Sequence, residues 1–268
     1  MNASLVIVTY NQFPHLQRCL DSILKYTSHP YELIIVNQNS TDGTKDYLDS
    51  FKNKHTKFVG LIHNSNNTGC SAGWNQGIKA ATGDPVIVLN DDIVLSPNWM
   101  KNALEFKDKY PKDLFSIHVL DRPEVRNLVE NDIEGWERHA TSIMEREKDV
   151  IEEGFQGCGI GLSRDLLNAV GLFDEGYIKV SYEDVDFCHR VYLAGRKAQI
   201  THSSLMYHYG GVTQSYVASR EGQGHLSHNR NYFEKKFNIN LDGAMCNRSI
   251  MWKKDPSGQW QKVTCTRA

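Results

Sequence analysis

The amino-acid sequence predicts an α/β protein whose central sheet is mainly parallel and flanked by helices. In the first half, near-continuous apolar strand patterns alternate with helical patterns of about a dozen residues. The 268 residues can bury a large core, and the composition, 40% hydrophobic and 23% charged, is that of an ordinary globular protein. No repeat or linker divides the chain. We therefore expect a single domain, 1–268, with two halves at 1–92 and 93–242 and a C-terminal tail at 243–268.

The first half is predicted to follow the order β-α-β-α-β-α-β. Uninterrupted runs of apolar and β-branched residues predict buried strands at 4–9, 32–36, 58–63 and 85–89. Apolar residues at helical spacing predict helices at 16–24, from 44 onward, and at 71–82.

The second half has a different composition. Residues 122–153 are dense in charge, which predicts a loop followed by an exposed helix; the functional alternative is a flap specific for the acceptor. The glycine-rich segment 154–161 predicts a tight strand or turn that passes close to a ligand. Further patterns predict helices at 164–170, 183–194 and 224–237, a strand near 197–201, and a hairpin between Trp252 and Trp260.

Charge and cysteine content exclude several classes of protein. Thirty Lys and Arg against 32 Asp and Glu give a formal charge of −2, so nucleic acid or an anionic membrane is not the expected main partner. No apolar run approaches the roughly 20 residues of a transmembrane helix, and the N-terminus lacks a secretory signal pattern. The six cysteines form no C-x-x-C pair, which predicts reduced thiols. We expect a cytoplasmic protein, with peripheral membrane contact left open.

The predicted strands end in polar residues. Ligands of parallel sheets bind beyond the carboxyl ends of the strands, so these ends should meet in one crevice. They are Thr9-Tyr10-Asn11, Asn37-Gln38-Asn39, His63-Asn64 and Asn90-Asp91-Asp92.

The segment from Asn90 to Asp92 is a candidate metal site. Adjacent carboxylates repel each other and lose hydration, and a divalent cation would relieve both effects. Oxygen ligands indicate Mg²⁺ or Mn²⁺. The alternative is that the acidic pair caps the following helix.

A second acidic group, Glu183-Asp184-Val185-Asp186, opens a predicted helix. The helix dipole favours carboxylates there, which is a structural explanation. Asp184 and Asp186 cannot share a helical face, so their roles should differ. A carboxylate aimed into the crevice could accept a proton from a hydroxyl, as a general base does.

Two further features allow two interpretations each. His208, beside aromatic residues, is structural unless it faces Asp92. Gly69, Gly73 and Gly77 share one helical face, which suits either close packing or the approach of a phosphate. The chain contains neither G-x-G-x-x-G nor G-K-[ST] here, so dinucleotide and P-loop sites lack their motifs.

Several motifs occur in a fixed order along the chain. They are V-I-V-T-Y-N at 6–11, V-N-Q-N-S-T-D-G-T at 36–44, N-T-G-C-S-A-G-W-N-Q-G-I at 67–78, A-T-G-D at 81–84, L-N-D-D at 89–92, G-L-F-D-E at 171–175, E-D-V-D-F-C-H-R at 183–190, and His208. This set, covering residues 4 to about 215, resembles that of family-2 glycosyltransferases, rhamnosyltransferase-like members included.

The resemblance implies a GT-A-type fold and inverting transfer of a sugar. The donor would be a nucleotide sugar, with Mn²⁺ or Mg²⁺ as cofactor. The acceptor would be a glycan, lipid-linked or protein hydroxyl, as in cell-surface polysaccharide synthesis. Residues 1–92 would then bind the nucleotide, and residues 93–242 would provide the acceptor and catalytic half.

The resemblance also implies roles for individual residues. Asp92 and Asn90 correspond to the D-x-D metal motif, and His208 to a histidine that completes the metal shell. Asp184 corresponds to the catalytic base, with Glu183 beside it to orient the acceptor or the base. The donor would be held by Thr9, Tyr10, Asn11, Asn39, Asn67, Gly73, Asn75, Asn90 and Asp91.

One departure from the family leaves the nucleotide open. The neutral amides Asn37 and Gln38 stand where the family usually has an acidic residue. Two other functions are alternatives to glycosyl transfer. A sugar-1-phosphate nucleotidyltransferase would need a glycine- and Arg/Lys-rich loop after the first strand, where this chain has T-Y-N-Q-F-P-H. A non-catalytic nucleotide- or glycan-binding module would not need the intact E-D-V-D group.

Overall fold

The computed structural model describes residues 3–55, 59–247 and 249–263, and it confirms the predicted α/β fold. The strands are β1 (Ala3–Thr9), β2 (Tyr31–Asn37), β3 (Val59–His63), β4 (Val86–Asn90), β5 (Ile93–Leu95), β6 (Leu114–Leu120), β7 (Ile151–Glu153), β8 (Gly159–Leu162), β9 (Ala198–His208), β10 (Met245–Asn247), β11 (Ile250–Lys254) and β12 (Trp260–Lys262). The helices are α1 (Phe13–Tyr26), α2 (Thr44–Lys54), α3 (Cys70–Ala80), α4 (Trp99–Lys109), α5 (Pro123–Asn131), α6 (Ile133–Glu147), α7 (Arg164–Val170), α8 (Glu183–Leu193), α9 (Val212–Glu221) and α10 (Gly224–Phe237).

The central sheet is mostly parallel. Its order is β3-β2-β1-β4-β8-β6-β9-β5, and β7 pairs with β9. Strands β3, β2, β1 and β4 run parallel, so their carboxyl ends lie at one edge as predicted. Strand β8 enters antiparallel between β4 and β6. This edge is where the polar strand ends come together.

Both faces of the sheet are buried, which explains the continuous apolar strands. Leu5 and Ile7 of β1 pack with α1 and α4 on one face, while Val6 packs with Trp74 and Ile78 of α3 on the other. Successive side chains of a strand point to opposite faces, so a strand covered on both sides must be apolar throughout.

The prediction of an exposed helix within 122–153 is wrong. The segment forms α5 and α6, whose apolar stripe makes its own cluster against β9, with Val125, Val129 and Ala140 buried. Trp136 is fully buried, and its Nε1 donates a hydrogen bond to the Leu95 carbonyl at 3.1 Å. The high charge of the segment concealed a narrow but regular buried stripe.

Other elements differ in extent. β9 continues to His208, so this histidine lies on a strand rather than beyond one. The predicted hairpin is confirmed by the pairing of Lys254 with Trp260. Phe58, at the start of the third predicted strand, and Cys265 lie outside the described residues; the five described cysteines are free thiols.

No helix among the described residues has the length and apolar character needed to cross a bilayer.

Gly77 illustrates how closely α3 approaches β1. A methyl group built on Gly77 would overlap the side chain of Val6. We expect Gly77→Ala to lower the free energy of unfolding by about 1–3 kcal/mol, because overpacking forces the helix away from the sheet. Urea unfolding measures this. Gly60→Ala on β3 is the control, since its methyl group would make an ordinary 3.5 Å contact with Ile34. Equal stability of the two variants would contradict the prediction.

Candidate active site

Two adjoining cavities lie at the carboxyl edge of the parallel strands. The larger, of about 490 Å³, is lined by residues that include Asn90, Asp92, Glu183, Asp184 and His208. The smaller, of about 80 Å³, is lined by residues that include Tyr10, Asn67, Asn90 and Asp91. Eight of the residues singled out from the sequence therefore meet around one crevice.

The acidic pair follows β4 directly, where the chain turns into β5. Asp91 and Asp92 are each only 4% exposed. Burial, reinforced by the adjacent Asp92, raises the pKa of Asp91 to about 8. Oδ2 of Asp91 has no hydrogen-bond partner among the described residues. The two carboxyl groups are thus buried side by side with unpaired oxygen atoms, and the repulsion that the sequence suggested is relieved in part by protonation of Asp91.

His208 reaches this pair because of strand register. In the antiparallel pairing of β5 with β9, His208 lies opposite Ile93, the residue after Asp92. Its Nε2 is 3.0 Å from Oδ1 of Asp92 and 3.4 Å from Nδ2 of Asn90. Burial acts to lower the pKa of His208, but Cys158 and Asp92 outweigh it and raise the pKa to about 11. A one-residue slip of the ladder would turn His208 to the other face.

The donor set of Asp92, His208 and Asn90 fits a divalent cation. Oδ1 of Asp92 is buried and lacks a well-aligned hydrogen bond despite its closeness to His208. The Asn90 amide can present its oxygen by rotation. The described residues contain no cluster of three His, Cys, Asp or Glu side chains, so the amide and a bound substrate would have to complete the shell.

The opposite wall is the start of α8, which follows a strained loop. Three non-glycine residues before Glu183 have left-handed backbone conformations, with φ of 60° at Lys179, 86° at Ser181 and 74° at Tyr182. Asn229 of α10, fully buried, donates to the carbonyls of 178, 180 and 181 and accepts from the amide of 178. Such conformations each cost about 1–3 kcal/mol and persist only where the surroundings hold them.

Glu183 and Asp184 differ in environment. Glu183 is 4% exposed, its Oε2 lacks a hydrogen-bond partner among the described residues, and burial raises its pKa to about 8. Burial also raises the pKa of Asp184, and a hydrogen bond from Ser249 Oγ to Oδ2, 2.7 Å long, opposes that rise. Gly157 passes beside the same oxygen. The glycine-rich segment therefore approaches a carboxylate of the crevice, close to where the sequence predicted a ligand.

Asp186 points away from the cavity. Its carboxylate is fully buried and is bound by Arg190 at 2.6 Å, by the Tyr177 hydroxyl at 3.0 Å, and by Lys236. Asp184 and Asp186 thus lie on different faces of α8, as helical geometry required, and the contacts of Asp186 are those of an anchor.

Five residues that the sequence placed with the donor do not line either cavity. Gly73 packs against Val8 and Gln38, so close packing explains the glycine face. The side chain of Asn75 exchanges hydrogen bonds with the backbone of 173 and donates to the carboxylate of residue 175. Of the other three, Thr9 is buried and Asn39 is exposed at a turn. The side chain of Asn11 accepts a hydrogen bond from the backbone of the turn that follows β2.

The two amides that depart from the family pattern are used within the fold. Asn37 bonds His63 across strand ends at 3.0 Å. Gln38 accepts from Asn64 and donates to the carbonyl of Gly69, both at 2.9 Å. These contacts join the ends of β2 and β3 to the start of α3.

Sequence reasoning missed three groups that shape the crevice. Ser249 and Asn229 act from the C-terminal region, and Tyr216 of α9 packs edge-on against Tyr10 at 5.9 Å and bonds Asn11. None belongs to a motif with fixed spacing to the acidic residues. A serine in the sequence does not indicate a left-handed turn, so the position of Ser249 could be recognised only from its contacts in the folded protein.

The geometry is that of a GT-A fold, a mostly parallel sheet flanked by helices, with an acidic crevice at the carboxyl edge of its parallel strands. The family model described as glycosyl transferase family 2 matches residues 4–171, more than half of the chain. The chain therefore belongs to glycosyltransferase family 2.

Known relatives agree with this assignment. A poly(ribitol-phosphate) beta-glucosyltransferase of Bacillus spizizenii is 29% identical over 116 residues, 42% of this chain and 18% of the relative. A glucosyl-dolichyl phosphate glucuronosyltransferase of Haloferax volcanii is 25% identical over 235 residues, 77% of this chain and 71% of the relative. The matches to the first curated relatives span only 18% to 34% of their lengths.

A solved structure supports the fold. The mannosyltransferase PcManGT of Pyrobaculum calidifontis, determined with GDP-Man and Mn²⁺, superposes with a TM-score of 0.61 at 20% identity. The alignment covers 87% of this chain and 64% of the mannosyltransferase. At that identity the likeness concerns the fold.

The raised pKa of Glu183 predicts a dependence of stability on pH. The folded protein holds this proton up to about pH 8, whereas the ordinary glutamate value is 4.5, so stability should fall as pH rises between those values. Glu183→Gln removes the titration. We expect its stability to gain on the wild type by about 1 kcal/mol or more between pH 5 and pH 9.

Urea unfolding at several pH values tests this expectation. Glu105→Gln, on the exposed face of α4, is the control and should follow the wild type throughout. A constant difference between Glu183→Gln and wild type across the pH range would show that Glu183 is not held protonated.

Proposed function

We propose that the protein is an inverting, divalent-metal-dependent glycosyltransferase that moves a hexosyl or deoxyhexosyl group from a nucleotide sugar to a hydroxyl acceptor. The observation that supports this best is the placement of Asp92, His208 and Asn90 on one wall of a cavity that also contains Asp184. The acceptor is proposed to be a glycan or glycolipid of cell-surface polysaccharide synthesis, and the place of reaction the cytoplasm. Family membership favours glycosyl transfer over nucleotidyl transfer or simple binding.

The donor is proposed to bind across both cavities. Tyr10 and Asn67 line the smaller cavity, which would receive the nucleoside. Asn90 lines both cavities. Asp92, His208 and Asn90 would hold Mn²⁺ or Mg²⁺, and the imidazole nitrogen favours Mn²⁺. When bound, the cation supplies positive charge against the developing negative charge of the departing nucleoside diphosphate.

Asp184 is proposed to take the proton of the acceptor hydroxyl as the oxygen attacks the anomeric carbon. Partial desolvation makes Asp184 a stronger base than an exposed aspartate, which suits proton abstraction near neutral pH. Glu183, protonated near neutral pH, can donate a hydrogen bond that orients the acceptor. A direct displacement of this kind inverts the anomeric centre and needs no covalent intermediate.

The charge of the larger cavity bears on the acceptor. Its described lining includes the carboxyl groups of Asp92, Asp121 and Asp184 beside the protonated Glu183, with His208 as the one basic side chain and no Lys or Arg. We infer that the sugar ring entering this cavity is uncharged. A screen of nucleotide-sugar donors with and without Mn²⁺, followed by neutral and uronate acceptors, tests the function and this preference together. Absence of turnover with every donor would overturn the proposal.

The metal assignment predicts the effect of two substitutions. Asp92→Ala and His208→Ala should abolish or strongly weaken Mn²⁺-stimulated donor hydrolysis, because each removes a side chain that is proposed to bind the cation. They should also remove the rise in melting temperature that Mn²⁺ produces with a nucleoside diphosphate. Asp108→Ala is the control, since this exposed carboxylate on α4 lines neither cavity. Unchanged Mn²⁺ affinity in folded Asp92→Ala, measured by calorimetry, would refute the assignment.

The base assignment predicts that binding and chemistry separate. Asp184→Asn keeps the side-chain shape but cannot accept the proton, so transfer should fall by about 10² to 10⁴ while donor and metal affinity stay nearly intact. Glu183→Gln should lose less. Asp186→Asn should mainly lower stability, because it weakens the contacts to Arg190 and Lys236.

Single-turnover transfer and donor binding, measured on all three variants, test this order. If Asp184→Asn transfers at the wild-type rate, or loses donor binding in proportion to activity, Asp184 is not the base.

A further inference from the structure

The C-terminal hairpin of β10 and β11 forms part of the wall around Asp184. It lies beyond residues 4–171, the part of the chain that carries the family match. Ile250 packs with Phe187 of α8, and Met251 packs with Val185 of the same helix. Met251 also lines the larger cavity. The hairpin is therefore docked on the helix that begins with the candidate base.

Ser249 occupies the turn of this hairpin and contacts Asp184 directly. It is 7% exposed, and its hydroxyl donates to Oδ2 of Asp184 at 2.7 Å. Its backbone is left-handed, with φ of 55°, where glycine or asparagine costs less than serine. The serine hydroxyl thus has a specific partner at a position whose backbone favours other residues.

The same carboxyl oxygen is approached from a second element. A methyl group on Gly157 would lie 3.2 Å from Oδ2 of Asp184. Gly157 and Ser249 therefore border Oδ2 from different parts of the chain, and Oδ2 is the oxygen that the hairpin holds.

We propose that Ser249 is a positioning residue that fixes the Asp184 carboxylate for proton abstraction and stabilises its charged form. This inference rests on the proposed role of Asp184 as the base. The hydrogen bond would hold one oxygen and so direct the other at the acceptor. The tail hairpin would thereby complete a site whose other parts come from the matched region, α8 and β9.

Four titratable groups interact electrostatically with Asp184. They are Glu183 and Cys188 on α8, Cys70 on α3 and Cys246 on β10. Burial raises the pKa of each, to about 8 for Glu183 and to about 12 for Cys246. Because the charge of Asp184 contributes to the raised pKa of Glu183, the ionisation of Asp184 is followed at its own carboxyl carbon.

The test compares Ser249→Ala and Ser249→Gly with wild type. Both remove the hydroxyl, while the glycine variant also removes the cost of the left-handed backbone and protects against misfolding. Single-turnover transfer at neutral pH should fall about tenfold in both, since a hydrogen bond to a charged group is lost. The acid limb of the rate profile should move up by about one pH unit, with donor affinity unchanged. Ser257→Ala is the control, because it removes an exposed hydroxyl from the same tail.

A second readout does not require activity. The carboxyl carbon of Asp184, assigned by its loss in Asp184→Asn, is titrated by ¹³C NMR in wild type and in both Ser249 variants. A rise in its pKa in the variants supports stabilisation of the charged form by Ser249, even if wild type transfers no sugar and the proposed function fails. An unchanged Asp184 titration and an unchanged rate profile in the folded variants would overturn it.

Discussion

Negative charge buried at the carboxyl edge of a parallel sheet is the constraint on which this structure depends. Asp91, Asp92, Glu183 and Asp184 meet there with little water, and a carboxylate in that setting must be protonated, paired or hydrogen-bonded. All three solutions are present. Asp91 and Glu183 favour the protonated form, Asp92 pairs with His208, and Asp184 receives a hydrogen bond from the tail. Neighbouring acidic residues thus differ in proton affinity and in charge.

A separate charged network keeps this division intact. Asp186, only two residues after Asp184, is neutralised by Arg190 and Lys236 on the far face of α8. Those cations are thereby kept from the crevice, where a lysine or arginine would compete for the carboxylates. The acidic side chains of α8 lie on two faces of the helix, and the 3.6-residue repeat is sufficient to separate them.

Much of this could be anticipated from the sequence, and the remainder depends on long-range contacts. The alternation of strands and helices and the polar edge follow from apolar runs that end in Asn, Asp and Thr, because parallel strands align their carboxyl ends. Local pattern also separates Asp184 from Asp186. Local pattern does not show that Asn75 accepts a hydrogen bond from the backbone of 173. Nor does it show that Ser249, 65 residues along the chain, donates one to Asp184. Such pairings depend on tertiary packing, in which a polar side chain meets whichever partner the fold brings to it.

The four hydrogen bonds of Asn229 have a consequence for how the molecule opens. The strained loop before α8 is held by this amide on α10, by the Cys70 amide and by the Gln214 side chain, so it loses a large part of its support when α10 leaves. Loop, helix start and α10 then form one cooperative unit rather than a flexible loop on a rigid body. In hydrogen exchange, the amides of 178–186 would share the opening free energy of α10. The wall that holds Glu183 and Asp184 therefore keeps its shape for as long as the surrounding helices remain folded.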